Sequence, residues 1–517
     1  MRRLSTWLLI AIVLGGLFRL INLSGKVYWH DETYTALYAT GHNNVEAVDL
    51  VFDGQLKTAG DISQLQTAVP DRGVGRTVKE LSDNDSQHPP LYYVLTRLVM
   101  YVVPNTVVAS RLVAAIAGIL LIPATYWLTK LLFSQTLPAT VSAAVVAVSP
   151  FQYLYAQEAR EYSLWALTLI VACAVFVKAL KDNRMGSWML YAGAIALSLY
   201  SCVLTFLIMA SHSLYMLWLV LAKQANTQLL HKRWPILRNF AVSSLGGLLL
   251  FVPWLSAISR SHAEKVSWTA VPLPFKSLAM TWVGNFSRLF FDVNFDNTDP
   301  LLYSVIPVLF FLALTLYALI WSMRNMPRPA LVFIALLGGV TLLTFVGPDL
   351  IMGGRRSAVS RYLIPTYLSL QLAIAYFCSQ KLFTPNTRTF GKSVTAVLLI
   401  SGIVSCSVSL PADTWWHKKN SHHNPEVARI INKTSDSLLV SSSNNANLGE
   451  LMSLSHSLKP EQPVLAFIEP TVPSIPNTAK TLFLFNVSKQ ARETLEQNYT
   501  VTTVFPEGRL WKMEPKS

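Results

Sequence analysis

The sequence predicts a polytopic α-helical membrane protein that ends in a small α/β domain. Three observations predict it. Of its 517 residues 52% are apolar and only 14% charged, against about 25% charged in an average soluble domain. Eleven apolar segments of spanning length follow one another before residue 411, each near the ~20 residues that cross a ~30 Å hydrocarbon core. Beyond that point short apolar runs alternate with polar turns, the pattern of small buried strands and amphipathic helices.

The elements follow in order. Met1-Arg2-Arg3 precedes an apolar run at 7–23 that contains Arg19 and lacks a small-x-small cleavage site, so it reads as an uncleaved anchor. Further segments lie near 111–133, 138–154, 162–180, 188–202, 203–222, 236–258, 301–322, 330–346, 362–380 and 393–410. A single helix over 188–222 would be about 50 Å long, too long for the core, so the stretch splits near Tyr200-Ser201-Cys202. Residues 91–103 are apolar but too short to span, and predict an interfacial or partly inserted helix with Pro89-Pro90 at its first turn. The expectation is about 11 transmembrane helices plus interfacial helices.

The net charge of +14 does not point to nucleic acid, because most cations sit in short loops beside apolar segments. Clusters at 2–3, 178–184, 223–238, 324–328 and 381–392 alternate correctly as cytoplasmic. The amino terminus is then cytoplasmic. The long loop 24–90, the segment 347–361 and the carboxyl tail are extracytoplasmic, in a plasma or inner membrane if the chain is bacterial. Arg72, Arg76, Lys79, Arg355, Arg356 and Arg361 run against this rule on the outer side. An anionic head group is one reason for them, and ordinary surface charge is the plainer one. Cys173, Cys202, Cys378 and Cys406 all fall inside apolar segments and read as small packing residues.

Two domains are expected: 1–410, transmembrane and catalytic, and 411–517, soluble and extracytoplasmic. The tail reads helix 425–433, strand 437–442, helix 447–457, strands 463–468 and 480–486, helix 488–497, strands 499–505 and 509–513. It has no Gly-rich phosphate loop, and His417, His422 and His423 read as a solvated linker.

Three clusters at the edges of apolar segments carry the candidate chemistry: Trp29-His30-Asp31-Glu32, Gln87-His88-Pro89-Pro90-Leu91-Tyr92-Tyr93 and Gln157-Glu158-Ala159-Arg160-Glu161-Tyr162. Ionisable groups beside hydrocarbon are costly and point to function. Asp31 is either a general base with a raised pKa or a cap on the first outer helix. His88 is either a phosphate ligand or hydrogen-bond donor, or structural. On a helix, Gln157 and Glu161 would share one face, and Glu158 and Tyr162 another.

With Arg361-Tyr362-Leu363-Ile364-Pro365, these ordered motifs resemble the GT-C superfamily of integral-membrane glycosyltransferases over about residues 1–410. They are most similar to the dolichyl-phosphate-mannose protein mannosyltransferases and the bacterial aminoarabinose (lipid A) transferases. The resemblance implies inverting transfer of a sugar from a polyprenyl-phosphate-linked monosaccharide donor. The acceptor stays open between lipid, glycan and protein. Asp31 matches the family's first-loop catalytic acid, and Glu158 the acidic position that orients acceptor or sugar. His88, Arg160, Arg361 and Tyr362 fall at donor-contact positions, with Arg355 and Arg356 added by charge and Glu32 and Tyr162 as neighbouring donor or acceptor contacts.

Departures from the pattern are Gln87, where the aminoarabinose branch carries Glu, and Tyr200-Ser201-Cys202-Val203, where relatives often carry Tyr-x-His-Tyr. The second leaves the acceptor class unassigned. No cofactor is required. A divalent metal is compatible with distant GT-C chemistry but unsupported, since Asp292, Asp296 and Asp299 match no familiar ligand spacing. The lack of long inserted domains favours a bacterial relative. Rival readings are a transporter or flippase of lipid-linked sugar, a polysaccharide ligase or polymerase using a lipid-diphosphate donor, and a scaffold whose tail binds partners.

Overall fold

A computed structural model describes residues 2–221, 227–260, 263–294, 301–444, 447–476 and 479–516. Asp296 and Asp299 lie outside the described residues. Each of the eleven apolar segments is helical: Arg2–Phe18, Thr106–Phe133, Thr136–Ala147 with Pro150–Ala156, Tyr162–Asp182, Met185–Ser201, Thr205–Leu221, Thr227–Arg260, Leu301–Asn325, Arg328–Ile351, Ile364–Phe383 and Arg388–Ser409. Among the described residues seven helices are long and apolar enough to cross a membrane, eight if one bent pair is one span. The other three have 17 residues each, about 25 Å at 1.5 Å per residue. Length therefore supports eight of the eleven expected spans. The split near Tyr200-Ser201-Cys202 is present, with one helix ending at Ser201 and the next starting at Thr205. Residues 91–100 form a ten-residue helix, too short to cross.

The bent pair is Thr136–Ala147 with Pro150–Ala156, at 59°. Pro150 lacks the N–H that a continuous helix would need. The carbonyls left at the break are taken by Arg19, whose guanidinium donates to Ala147 O (2.6 Å) and Val146 O (3.0 Å). That explains a cation inside the first apolar run: it is a helix cap, fully buried.

Tyr162–Asp182 and Ser360–Phe383 are the enclosed helices of this assembly, with 78% and 89% of their apolar windows buried, against 22–33% for the three spans from Trp234 to Ile351. The motif residues at 157–162 and 361–362 stand at the heads of these two inner helices.

The chain divides into two compact units, one of residues 1–21, 86–92 and 114–410, the other of 22–85, 93–113 and 411–517. The second is built on a six-stranded sheet: β1 (Asp53–Thr58), β2 (Ser437–Ser442), β3 (Pro463–Phe467), β4 (Thr481–Phe485), β5 (Tyr499–Phe505) and β6 (Leu510–Pro515), in spatial order β1-β3-β2-β4-β6-β5. β2, β3 and β4 are parallel and the outer pairings antiparallel. The tail elements fall where the sequence pattern places them. β1 does not: it comes from the long loop and pairs antiparallel with β3, Leu56 opposite Leu465. One face of the sheet packs Leu439 and Phe483, with Leu451 of the helix Asn447–Ser455, against Leu37, Val51 and Phe52, so loop and tail share a core.

Candidate active site

The first unit holds most of the expected donor contacts. Residues 157–161 are not the helix start that i, i+4 spacing suggested. One helix ends at Ala156, the next begins at Tyr162, and a tight turn between them is closed by Arg160 N–H donating to Glu158 O (2.7 Å). Gln157 closes its own helix through its N–H, which donates to Tyr153 O (3.2 Å) and Leu154 O (3.1 Å), while its side-chain amide donates to Phe18 O (2.9 Å) and Ile21 O (2.8 Å) and caps the end of the first helix. The turn carries Glu158, Arg160 and Glu161, all buried.

Glu161 is the hub. His88 Nδ1 lies 2.9 Å from Glu161 Oε1, and Arg160 Nε lies 3.4 Å from Glu161 Oε2. Burial alone would raise the Glu161 pKa. The Arg160 and His88 charges and the His88 hydrogen bond overcome it and hold the carboxyl down at about 2. One terminal nitrogen of Arg160 is nearly equidistant from the two His88 ring nitrogens, at 3.2 and 3.4 Å. The guanidinium therefore faces the ring and does not meet one lone pair end-on.

Tyr162 lies between two cations: Arg160 is 5.8 Å and Arg361 5.5 Å from its ring centre, inside cation–π range. Arg361 also lies 5.9 Å from the Tyr362 ring, which stacks on Phe345. Tyr155 packs edge-on against Tyr162 at 5.7 Å, bonds Ser360 Oγ at 2.9 Å, and is within electrostatic reach of Glu158, Arg361 and Arg288. Glu158, Arg160 and Tyr162, all buried, thus lie in one polar cluster with half-buried Arg361 and His88.

Arg355 and Arg356, expected donor contacts by charge, each bond within the chain. Arg356 pairs with Asp349 (3.1 Å), whose other oxygen accepts from Ser357 N–H and Oγ, both at 2.7 Å. Arg355 donates to Val271 O (3.1 Å). These contacts pin the segment before Arg361.

The second unit holds Asp31 and Glu32 on the first turn of the helix His30–Ala39, where the helix dipole favours carboxylates. Asp31 is half-buried, and its charge adds to burial in pushing the Tyr34 phenol up to about 12. Glu32, expected as a donor or acceptor contact, is completely buried among partners of its own unit. Arg111 grips it bidentately (2.7 Å to each oxygen), Lys418 donates at 2.8 Å, and Trp29 N–H donates at 3.2 Å. Arg111 further donates to the carbonyls of Leu23, Lys26 and Val27. This network fixes the turn that carries Asp31.

Glu161 was given no role of its own in the sequence beyond its place inside the third motif, and Arg111, Lys418, Arg288 and Tyr155 were not singled out. Among the described residues no group of three His, Cys, Asp or Glu side chains could hold a metal ion.

Residues 87–256, which include His88, Glu158, Arg160 and Tyr162, match the family model described as dolichyl-phosphate-mannose-protein mannosyltransferase. No curated protein matches the sequence. Among solved structures, the chain is similar to ArnT from Cupriavidus metallidurans bound to undecaprenyl phosphate, at 13% identity and TM-score 0.55 over 98% of each chain. The fold is that of ArnT. The apo state of ArnT gives 13% identity and TM-score 0.53 over 99% of this chain and 98% of that one. AglB, the archaeal oligosaccharyltransferase from Archaeoglobus fulgidus, in complex with an inhibitory peptide and a dolichol-phosphate, gives 12% and 0.49 over 99% and 74%. The resemblance to GT-C enzymes carried by the ordered motifs holds at the level of fold. Because the ArnT likeness spans nearly both whole chains, it takes in the terminal sheet as well as the helices.

Proposed function

We propose that this chain is an integral-membrane glycosyltransferase that takes a sugar from a polyprenyl-phosphate-linked monosaccharide and passes it, with inversion, to an acceptor on the extracytoplasmic side. The observation that carries the reading is the polar cluster at the heads of the two inner helices, where Arg160 and Arg361 both lie near the Tyr162 ring and His88 adjoins Arg160. Such a set suits an anion that gains charge as its ester bond breaks.

In this reading Asp31 removes the proton of the acceptor hydroxyl as its oxygen forms the new bond to the sugar C1. The bond from C1 to the phosphate oxygen breaks on the opposite face, and its electron pair leaves with the polyprenyl phosphate. Arg160, Arg361 and His88 receive the phosphate, Glu158 orients the acceptor or sugar, and Tyr162 and Tyr362 shape the site. Arg356 and Glu32 hold the scaffold through Asp349 and Arg111. The lipid-phosphate bond is already activated, so alignment, a base and charge stabilisation are what the protein must supply.

The test is Asp31→Asn in purified protein given polyprenyl-phosphate sugars. Transfer is expected to be lost with donor binding retained. Transfer at the wild-type rate would remove Asp31 from catalysis. Movement of the lipid-linked sugar across vesicles without transfer would favour the flippase alternative.

A further inference from the structure

The first turn of the helix His30–Ala39 is held from both sides by the carboxyl-terminal domain. On one side His30 N–H donates to Ser421 Oγ (3.0 Å), and Ser421 donates on to Glu450 Oε1 (3.1 Å), which lies 3.4 Å from His30 Nδ1. The His30 ring lies on the backbone of Gly449 so closely that a Cβ there would sit 2.2 Å from Nδ1. On the other side Lys418 donates to buried Glu32 at 2.8 Å and lies 5.5 Å from the Trp29 ring. Just upstream, Val27 N–H donates to Asp413 O at 2.7 Å. Residues on either side of Asp31 are therefore fixed by tail groups while Asp31 itself stays half-buried.

In a helix the direction of a side chain is set by the backbone angles of its own turn. Clamping positions 30 and 32 fixes the Cα–Cβ direction at 31. Arg111 anchors Glu32 but comes from the long helix Thr106–Phe133, whereas Lys418, Ser421, Gly449 and Glu450 all belong to the tail.

We propose that the carboxyl-terminal domain is a positioning element for the base: Lys418 acts on Asp31 through Glu32, and Ser421 and Glu450 act on it through His30. The proposal rests on Asp31 being the base. It gives the tail a direct part in the transfer step and none in donor binding. A group misplaced by about 1 Å loses on the order of 10²-fold in rate, so small slack in this clamp is enough to show.

The experiment compares Lys418→Met, Lys418→Arg and Gly449→Ala in the full-length purified chain, with Arg429→Met, which breaks an exposed ion pair with Asp413, as the control. Lys418→Met is expected to lower kcat about 10²-fold with donor KM unchanged. Lys418→Arg should restore most of that rate, and Arg429→Met should match wild type. Gly449→Ala removes no charge and should lower kcat in the same way by pushing on His30, so it carries the test if Lys418→Met does not fold. Wild-type kcat in folded Lys418→Met or in Gly449→Ala, or losses that fall on KM, would overturn the clamp. If Asp31→Asn abolishes transfer while these variants keep full kcat, the clamp alone fails. If Asp31→Asn transfers at the wild-type rate, the assignment of the base fails first.

Discussion

Glu161→Gln keeps the shape of the side chain and removes its charge, so it isolates what the carboxylate does for His88 and Arg160. The carboxyl is held at about 2 against an ordinary 4.5, about 2.5 units down. At 1.36 kcal/mol per unit this is about 3 kcal/mol of folded-state stability at neutral pH. The sign follows from the depressed value. The contribution is complete above the unfolded pKa and disappears as pH falls from about 4.5 to about 2. The Gln variant should therefore be less stable at pH 7 by about 3 kcal/mol, read as a lower denaturant midpoint, and should lose the extra acid sensitivity of the wild type in that window. Leaving Arg160 buried with a neutral partner also loosens the proposed phosphate site, so kcat/KM for the donor should fall about 10-fold or more, by the loss of one charge-assisted contact. Denaturant unfolding followed by tryptophan fluorescence across pH, together with donor saturation kinetics, measures both. Equal midpoints and equal acid limbs in the two proteins would refute the claim that Glu161 ties the cluster together.

The other expectations are briefer. Arg361→Ala should weaken donor affinity, whereas Arg356→Ala should lower thermal stability and leave affinity unchanged, because it strips Asp349 of a partner 3.1 Å away; donor titration of both separates the roles, and equal losses of affinity would contradict the division. His456 is held down at about 4, first by burial and then by Arg111. The unfolded chain takes up a proton that the folded one refuses, so stability should fall by about 3 kcal/mol as pH drops from about 6.5 to 4. His456→Gln should flatten this slope in the same unfolding series, and an unchanged slope would assign it to other groups.

The tail was legible because its strands are short apolar runs bounded by turn residues, as in Val464-Leu465-Ala466-Phe467 and Leu482-Phe483-Leu484-Phe485. β1 was not. Asp-Gly-Gln-Leu-Lys-Thr has no β-branched or aromatic run, and β3 supplies the edge that makes it a strand. The turn at 157–161 was hidden for a similar reason, since the Gln157 side chain there bonds the end of a helix 139 positions earlier. Motif residues announced themselves by standing next to hydrocarbon. Their partners did not: His88 meets Glu161 across 73 positions, Arg111 meets Glu32 across 79, and Lys418 meets Glu32 across 386. A single sequence carries no local trace of pairings that distant.

The sheet that joins the first loop to the tail also sets a timetable for synthesis. β1 leaves the ribosome about 400 residues before β3, its neighbour in the sheet. At 5–20 residues per second that is a wait of roughly 20–80 s. During it Leu37, Val51 and Phe52 have no Phe483 or Leu451 to cover them. The newborn loop therefore keeps this apolar surface uncovered until the tail emerges, and a chain cut short before residue 463 lacks the strand that pairs with β1.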